Sequence, residues 1–323
     1  MLRFYNKNKY LIWALIDDRT GNKNQILAVL ESLKIPFKII EVKYNWMARL
    51  PNFILQTFGG LIHIHALDIK NTKELPNLVL SCGRRTFPIS NRLFSMFEKP
   101  PILVHLMYPK FSINKSRYKF IFTPHHDKII DKPNIIRTLG SPALKKVSSK
   151  KKNPYKNNPI ISLLVGGNHG NYKLESDSVS IIIDQILKKI GKGILLISTS
   201  RRTSIEVIKS IDKWNFKHNS IKVVYHPKIE KKNNPIKDMF SFSDELVITG
   251  DSISMISEAC QYKKPVRIYY NKKICSRKHL NFCEKIIREG YAFSFESLLK
   301  KCNKIKVLDT TEIIKKNILG HIT

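Results

Sequence analysis

Short apolar runs alternate with amphipathic helical stretches from residue 10 to residue 270, and this alternation constrains the fold more than any other feature. Tyr10–Ile16, Phe37–Val42, Leu75–Cys82, Ile102–Leu106 and Lys119–Thr123 read as strands, with helices at Asn22–Leu33 and from Pro88 to Phe97. Strands alternating with helices in this way are the pattern of mainly parallel sheets covered by helices. The fold class is α/β.

The rhythm breaks at Lys145–Asn158, KKVSSKKKNPYKNN, which is charged, carries a proline and has no apolar period. It then restarts: Pro159–Val165, Gly193–Thr199, Ile221–Tyr225, Glu245–Thr249 and Pro265–Tyr270 read as strands, and Ser176–Ile190, Ser204–Trp214 and Ser252–Tyr262 as helices. The expected organisation is a first domain at 1–148, a linker at 149–158, a second domain at 159–300 and a helical tail at 301–323. A long surface loop inside one domain is the alternative for the linker. The tail, from Phe295–Leu319, is expected to form one or two helices over both halves. Leu80–Thr86 and Ile197–Thr203 each place Arg-Arg-Thr just after an apolar strand, an echo that suggests two similar halves. Two such domains facing each other would put their strand C-terminal ends on either side of one cleft, where open α/β sheets bind ligands.

With 57 Lys+Arg against 25 Asp+Glu the net charge is +32, which attracts phosphates, nucleic acid and anionic headgroups. Of these cations 44 are Lys, and Asn and Ile are also abundant; all three have AT-rich codons, so the charge by itself selects no partner. Five cysteines with no C-x-x-C pair fit a reduced, intracellular chain without structural disulfides or a thiolate zinc site. The apolar stretch Leu11–Ile16 is too short for a signal sequence, and no run approaches a membrane span. A cytoplasmic protein is expected, with peripheral attachment to the inner membrane face as the membrane-bound option.

The strongest local signal is Glu245–Cys260, ELVITGDSISMISEAC. The strand ends at Thr249, Gly250 permits a tight turn, and Ser252 stands where it can N-cap the next helix. Unpaired first-turn N–H groups at the positive dipole end suit a diphosphate, with the Ser252 and Ser254 hydroxyls as added donors. Asp251, Ser254 and Glu258 share one helical face, and Ile253, Ile256 and Cys260 another. Glu258, two turns along, is placed to accept ribose hydroxyls; an ordinary solvent-facing helix is the alternative.

Gly166 and Gly167, in SLLVGGNHG, follow a strand and let backbone approach a phosphate or sugar. Neither G-x-G-x-x-G nor a P-loop pattern occurs. Arg84, Arg85, Arg201 and Arg202 sit at strand ends, where a guanidinium would grip phosphate; carboxylate pairing elsewhere is equally open. In Ile16–Gln25, IDDRTGNKNQ, Asp17 or Asp18 could act as a base, and Asn24 and Gln25 could hold hydroxyls. His126 beside Asp127 offers a group titrating near neutral pH, with a structural pair as the alternative. His63 and His65 lack a third ligand, so no metal site is expected. Tyr44–Leu67, aromatic and flanked by basic residues, suits either a bilayer interface or core packing.

Asp17-x-x-x-Gly21-x-x-Asn24-Gln25, Cys82-Gly83-Arg84-Arg85-Thr86, His126-Asp127, Gly166-Gly167, Ser200-Arg201-Arg202-Thr203 and Thr249-Gly250-Asp251-Ser252-x-Ser254-Met255-x-Ser257-Glu258-Ala259 occur in this order in the mitochondrial fission "elongated mitochondria" family, which the chain resembles over residues 11–300. Bacterial members are often labelled nucleoside-diphosphate-sugar epimerases. The last motif also resembles the donor-binding strand-loop-helix of GT-B glycosyltransferases. That resemblance implies a GT-B-like fold of two Rossmann-like domains, with Ser252 and Ser254 on a diphosphate and Glu258 on a ribose. Gly166-Gly167 resembles the first glycine turn of that C-terminal domain, and Ser200, Arg201, Arg202, Thr249, Gly250 and Asp251 complete the donor set. Gly21, Asn24, Gln25, Gly83, Arg84 and Arg85 fall on the acceptor or phosphate side. Two positions depart from the family: Ile236 where Tyr is usual after Asn-Pro, and Asp18 where a small residue is usual.

The resemblance implies metal-independent glycosyl transfer from a nucleotide-diphosphate sugar held in the interdomain cleft, with no cofactor beyond that substrate. The acceptor is unassigned, a lipid-linked one among the options, and the general base is Asp17 or the His126–Asp127 pair. An epimerase on the same fold is one alternative, and a non-catalytic protein at an anionic membrane surface another. A nucleic-acid partner is disfavoured, since no recognition module accompanies the lysines.

Overall fold

The computed structural model describes residues 10–67, 74–125, 129–143, 151–156, 158–230, 234–302 and 305–322. The chain divides into two compact units, Met1–Lys145 with Asp309–Thr323, and Lys146–Leu308.

The first unit runs β1 (Ile12–Ile16), α1 (Thr20–Leu33), β2 (Phe37–Tyr44), α2 (Asn52–Thr57), β3 (Ile64–Leu67), β4 (Leu78–Cys82), α3 (Thr86–Met96), β5 (Ile102–Leu106), β6 (Tyr118–Pro124) and β7 (Ile135–Thr138). Its sheet has the order β3-β2-β1-β4-β5-β6-β7, parallel except where β3 pairs antiparallel with β2. The second unit runs β8 (Ile160–Val165), α4 (Ser176–Ile190), β9 (Ile194–Thr199), α5 (Ile205–Lys217), β10 (Ile221–Tyr225), α6 (Ile236–Phe242), β11 (Glu245–Thr249), α7 (Ile253–Ala259), β12 (Val266–Tyr269), α8 (Arg277–Arg288) and β13 (Phe293–Ser294). Its six strands are all parallel, in the order β10-β9-β8-β11-β12-β13.

Every residue of β1, β4, β8, β9 and β11 is buried, which is why these strands read as unbroken apolar runs. The helices cover the sheets with residues at helical spacing. On α4, Val179, Ile182, Ile183, Ile186 and Ile190 are all buried. The Ser204 hydroxyl accepts the Val207 N–H and caps α5.

The C-terminal helix α9 (Thr310–Ile322) lies within the expected helical tail and groups with the first unit. Ile314 and Ile318 are fully buried with Ile26, Val29, Leu30 and Leu33 of α1. Thr311 Oγ1 donates to the Ala143 carbonyl at 2.9 Å, so the helix completes the first unit after the chain has built the second. Each buried isoleucine contributes about 1.5–3 kcal/mol of transfer free energy to that core.

Each strand order reverses once. In the first unit the chain leaves β1 for β2 and later returns to β4; in the second it leaves β8 for β9 and later returns to β11. The crevices outside the carboxyl ends of β1 and β4, and of β8 and β11, are therefore the places where such sheets take ligands. The Arg-Arg-Thr echo falls on strands that are not equivalent: β4 adjoins β1 across the reversal, whereas β9 lies on the far side of β8. The two halves share a winding rule rather than a repeated segment.

Candidate functional site

At the reversal in the second unit, three loops are tied together by one carboxylate. Gly166 N–H donates to Thr249 Oγ1 at 2.7 Å, and Thr249 Oγ1 donates to Asp251 Oδ1 at 2.6 Å. Asp251 Oδ2 accepts the Gly167 N–H at 2.9 Å and Arg202 Nη2 at 3.2 Å. Asp251 is 2% exposed. Burial raises its carboxyl above the usual range, against the lowering effect of the Thr249 hydroxyl, the Gly167 N–H and the Arg202 guanidinium.

The glycines are demanded by this knot. A Cβ on Gly166 would stand 2.0 Å from Asp251 Oδ1, and one on Gly167 2.2 Å from the Arg202 carbonyl carbon. At both positions a side chain would meet the protein's own carboxylate or backbone. Gly250 is required too, since its Cβ would lie 2.6 Å from Tyr270 Cβ.

Asp251 therefore departs from the helical face assigned to it with Ser254 and Glu258: it precedes α7 and points into the Gly166–Gly167 turn. Ser252 occupies the N-cap position, but its side chain makes no capping bond. Ser254 is exposed and Glu258 half-buried, while Ile256 and Cys260 are buried as expected. Ser200 Oγ accepts the Arg202 N–H at 3.1 Å and shapes the turn after β9. Arg201 is exposed at the same edge.

Two histidines that sequence reading did not place as site residues stand here. His169 and His279 meet edge to face at 5.2 Å, and Ser276 Oγ lies 2.6 Å from His279 Nδ1. Burial, with the charges of His169, Lys278 and Arg202, lowers His279 to about 4. His169 was visible in the motif SLLVGGNHG; His279 lies in α8, a helix the sequence did not announce.

The reversal in the first unit is built around Asp17, whose side chain is 1% exposed. It accepts the Arg19 N–H at 3.1 Å, Asn22 Nδ2 at 3.1 Å and Arg85 Nη2 at 3.4 Å. Burial raises its carboxyl, opposed by those same partners. Gly83 (φ +81°) faces Asn22, whose Nδ2 would be 2.6 Å from any Cβ there. Asn22 is thus a site residue that sequence reasoning missed, hidden beside Gly21 and Asn24.

The two arginines after β4 are both engaged internally. Arg84 donates to the carbonyls of Ala48 and Leu50, which anchors the segment before α2. Arg85 pairs with Asp18 and lies over the Tyr44 ring, 4.1 Å from its centroid. Gln25 is buried with Nε2 4.0 Å from Met107 Sδ, whereas Gly21 and Asn24 are exposed. His63 is buried, its Nε2 2.9 Å from the Arg85 carbonyl oxygen. His126 and Asp127 lie outside the described residues. Among the described residues no group of three or more His, Cys, Asp or Glu is disposed to hold a metal, and no helix is long and apolar enough to cross a membrane.

The fold is that of GT-B glycosyltransferases and epimerases. The S. aureus MnaA–UDP structure superposes with a TM-score of 0.55 at 12% identity, over 97% of this chain and 96% of that one. The UDP-GlcNAc 2-epimerase from Neisseria meningitidis bound to UDP-GlcNAc gives 0.53 at 14% identity, over 96% of this chain and 100% of that one. Acinetobacter baumannii MurG gives 0.52 at 12%, over 96% and 99%. In sequence, the uncharacterized protein RP120 of Rickettsia prowazekii (strain Madrid E) is 30% identical over 88% of this chain and 90% of its own length. The mitochondrial fission protein ELM1 of Arabidopsis thaliana is 23% identical over 73% of this chain and 63% of its own length. The profile described as "Mitochondrial fission ELM1" matches residues 20–321, and the chain belongs to the mitochondrial fission ELM1 family.

Proposed function

We propose that the second unit binds a nucleotide-diphosphate sugar over the loops after β8, β9 and β11, and that the protein transfers the sugar to an acceptor. The observation that carries this reading is the Asp251 knot: it fixes three loops at the reversal point and leaves Arg201, Arg202, Ser252 and Ser254 along the sheet's carboxyl edge. Arg202 is half satisfied by Asp251, with its side chain 41% exposed, so it can add a phosphate oxygen without losing its anchor. In this reading the arginines offset charge developing on the leaving diphosphate, Glu258 accepts the ribose hydroxyls, and Asp17 is the candidate base. The raised carboxyl of Asp17 suits proton transfer better than an ordinary surface aspartate would.

UDP in one similar structure and UDP-GlcNAc in another make UDP-sugars the first donors to test. Calorimetry with UDP-, GDP-, ADP- and dTDP-sugars on wild type and Glu258→Ala is the experiment, with pyrophosphate as the control for the +32 charge. Base-selective binding that weakens in Glu258→Ala is expected. Binding no tighter than pyrophosphate overturns the proposal, and an isomerised nucleotide sugar formed without acceptor replaces transfer by epimerisation.

A further inference from the structure

Arg85 is the one cation bonded to Asp17 among the described residues, and the bond by itself does little to fix it there. Its Nη2 lies 3.4 Å from Asp17 Oδ2, long for a hydrogen bond. The same nitrogen reaches Asp18, whose side chain is 65% exposed, and the buried Nε has no hydrogen-bond partner. A guanidinium acts on a carboxylate through the placement of its plane, so something else must hold that plane.

Two residues outside the loops after β1 and β4 do so. Tyr44, the last residue of β2, has the Arg85 guanidinium carbon 4.1 Å from its ring centroid, well within the distance of about 6 Å over which an aromatic face attracts a cation. His63 Nε2 lies 2.9 Å from the Arg85 carbonyl oxygen. That oxygen can only accept, so the ring donates through Nε2 and its Nδ1 carries no proton. Tyr44 thus holds the guanidinium and His63 the backbone of the same arginine. The two rings also stack on each other, with centroids 5.7 Å apart and planes 16° from parallel.

The chain brings the rings together through Asn45, whose N–H donates to the His63 carbonyl at 3.1 Å and whose Nδ2 donates to the Ile62 carbonyl at 2.8 Å. The Tyr44 hydroxyl is buried and has no hydrogen-bond partner, so the ring face is the part that the fold uses. Burial, with the charges of Arg84 and Arg85, keeps His63 neutral against the raising effect of its carbonyl bond. Around the Asp17 carboxyl stand Asp18 and Arg19 of its own loop, Asn22 of α1, Tyr44 of β2, and Cys82 and Arg85 at the end of β4. Arg84 is turned away, to the Ala48 and Leu50 carbonyls.

We infer that Tyr44 and His63 are positioning residues of the Asp17 site: they hold Arg85 on the carboxylate, and through Arg85 they fix the proton affinity of Asp17. Its bearing on catalysis rests on the reading of Asp17 as the base, whereas the linkage from Tyr44 through Arg85 to Asp17 is measured without substrate.

The test is a carbon-13 NMR titration of the Asp17 carboxyl in the full chain, with the signal assigned by its loss in Asp17→Asn. Tyr44→Leu and Tyr44→Phe are each measured alone and with Arg85→Gln. Tyr44→Leu should raise the Asp17 midpoint by about one pH unit, toward that of Arg85→Gln, because a loosened guanidinium no longer favours the carboxylate. Tyr44→Phe keeps the ring and should leave the midpoint in place. In the Arg85→Gln background, Tyr44→Leu should add nothing. His63→Leu should also raise the midpoint, and His63→Gln, whose amide can still donate to the Arg85 carbonyl, should restore it. A midpoint unmoved by Tyr44→Leu, or moved equally with and without Arg85, overturns the inference, since Tyr44 would then act by its own packing. Equal midpoints in His63→Leu and His63→Gln overturn it for His63, and that pair decides the matter if Tyr44→Leu does not fold. A wild type that binds no nucleotide sugar leaves this linkage standing, and a failed linkage leaves the donor site untouched.

Discussion

Asp251 accepts the Gly167 N–H at 2.9 Å, so the residue that follows β11 holds the loop that follows β8. The first unit has its own version: Asp17, just after β1, accepts Arg85 Nη2 from the loop after β4 at 3.4 Å. In each unit a buried aspartate after one strand accepts a donor from the loop after the neighbouring strand across the reversal: the Gly167 N–H in the second unit and the Arg85 guanidinium in the first. A carboxylate does this well because its two oxygens accept several donors at once, and burial strengthens each bond.

Gly166→Ala should destabilise the second unit by about 3 kcal/mol or more, because the new methyl must displace the Asp251 carboxylate. Asp251→Asn keeps the shape but turns an NH2 toward groups that donate, and about 1–3 kcal/mol is the expected loss. Denaturant unfolding of the two variants checks both values, and a neutral Gly166→Ala would contradict the packing described.

The raised carboxyl of Asp17 has a definite linkage. Its folded form binds the proton more readily than the unfolded chain does, so its contribution to stability is present in acid and is lost as pH rises through the raised folded value. The difference in unfolding free energy between wild type and Asp17→Asn should therefore shift against wild type as pH rises from 3.8, and level off above the folded value. A flat difference across that window would mean that the carboxyl is not held above its ordinary range.

His279 runs the other way. Lowered to about 4, it is neutral in the fold where the unfolded chain would be protonated. Its contribution is present above the ordinary value of 6.5 and is lost as pH falls toward 4. NMR titration of the His279 ring should give a midpoint near 4, and His279→Gln should flatten that part of the stability profile.

Ile318→Ala on α9 should cost about 2–5 kcal/mol, since the side chain is fully buried against α1. Hydrogen exchange should report the loss in α1 and β4 of the first unit and leave α4 and β8 unchanged. Exchange loosened chiefly in the second unit would place the helix elsewhere.

Arg202→Gln should weaken a nucleotide-sugar or pyrophosphate ligand by about tenfold. It should also loosen the Gly166–Gly167 turn, because Asp251 loses its one charged partner among the described residues. Calorimetry measures the first effect and amide exchange at Gly167 the second.

Legibility followed the range of the forces. The core strands were readable because burial on both faces writes itself as an unbroken apolar run, and α4 because a 3.6-residue period leaves one stripe of isoleucines and a valine. Glycines after strands were readable as places where a side chain does not fit. What they make room for was not readable, since that depends on Asp251, 84 positions away from Gly167. The fates of Arg84 and Arg85 were equally hidden: a guanidinium at a strand end suits a phosphate, a carbonyl or a carboxylate, and folding supplied the Ala48 and Leu50 carbonyls to one and aspartates to the other.

By itself the sequence determined the α/β class, the strands β1, β2, β4–β6 and β8–β12, and the helices α1, α3, α4, α5 and α7. Tertiary structure alone decided the strand orders, the return of α9 to the first unit, and which strand-end residues are spent on one another. The reason is physical: local propensity and periodicity act over a few residues, whereas pairing and burial bring together groups whose separation along the chain leaves no mark on either neighbourhood.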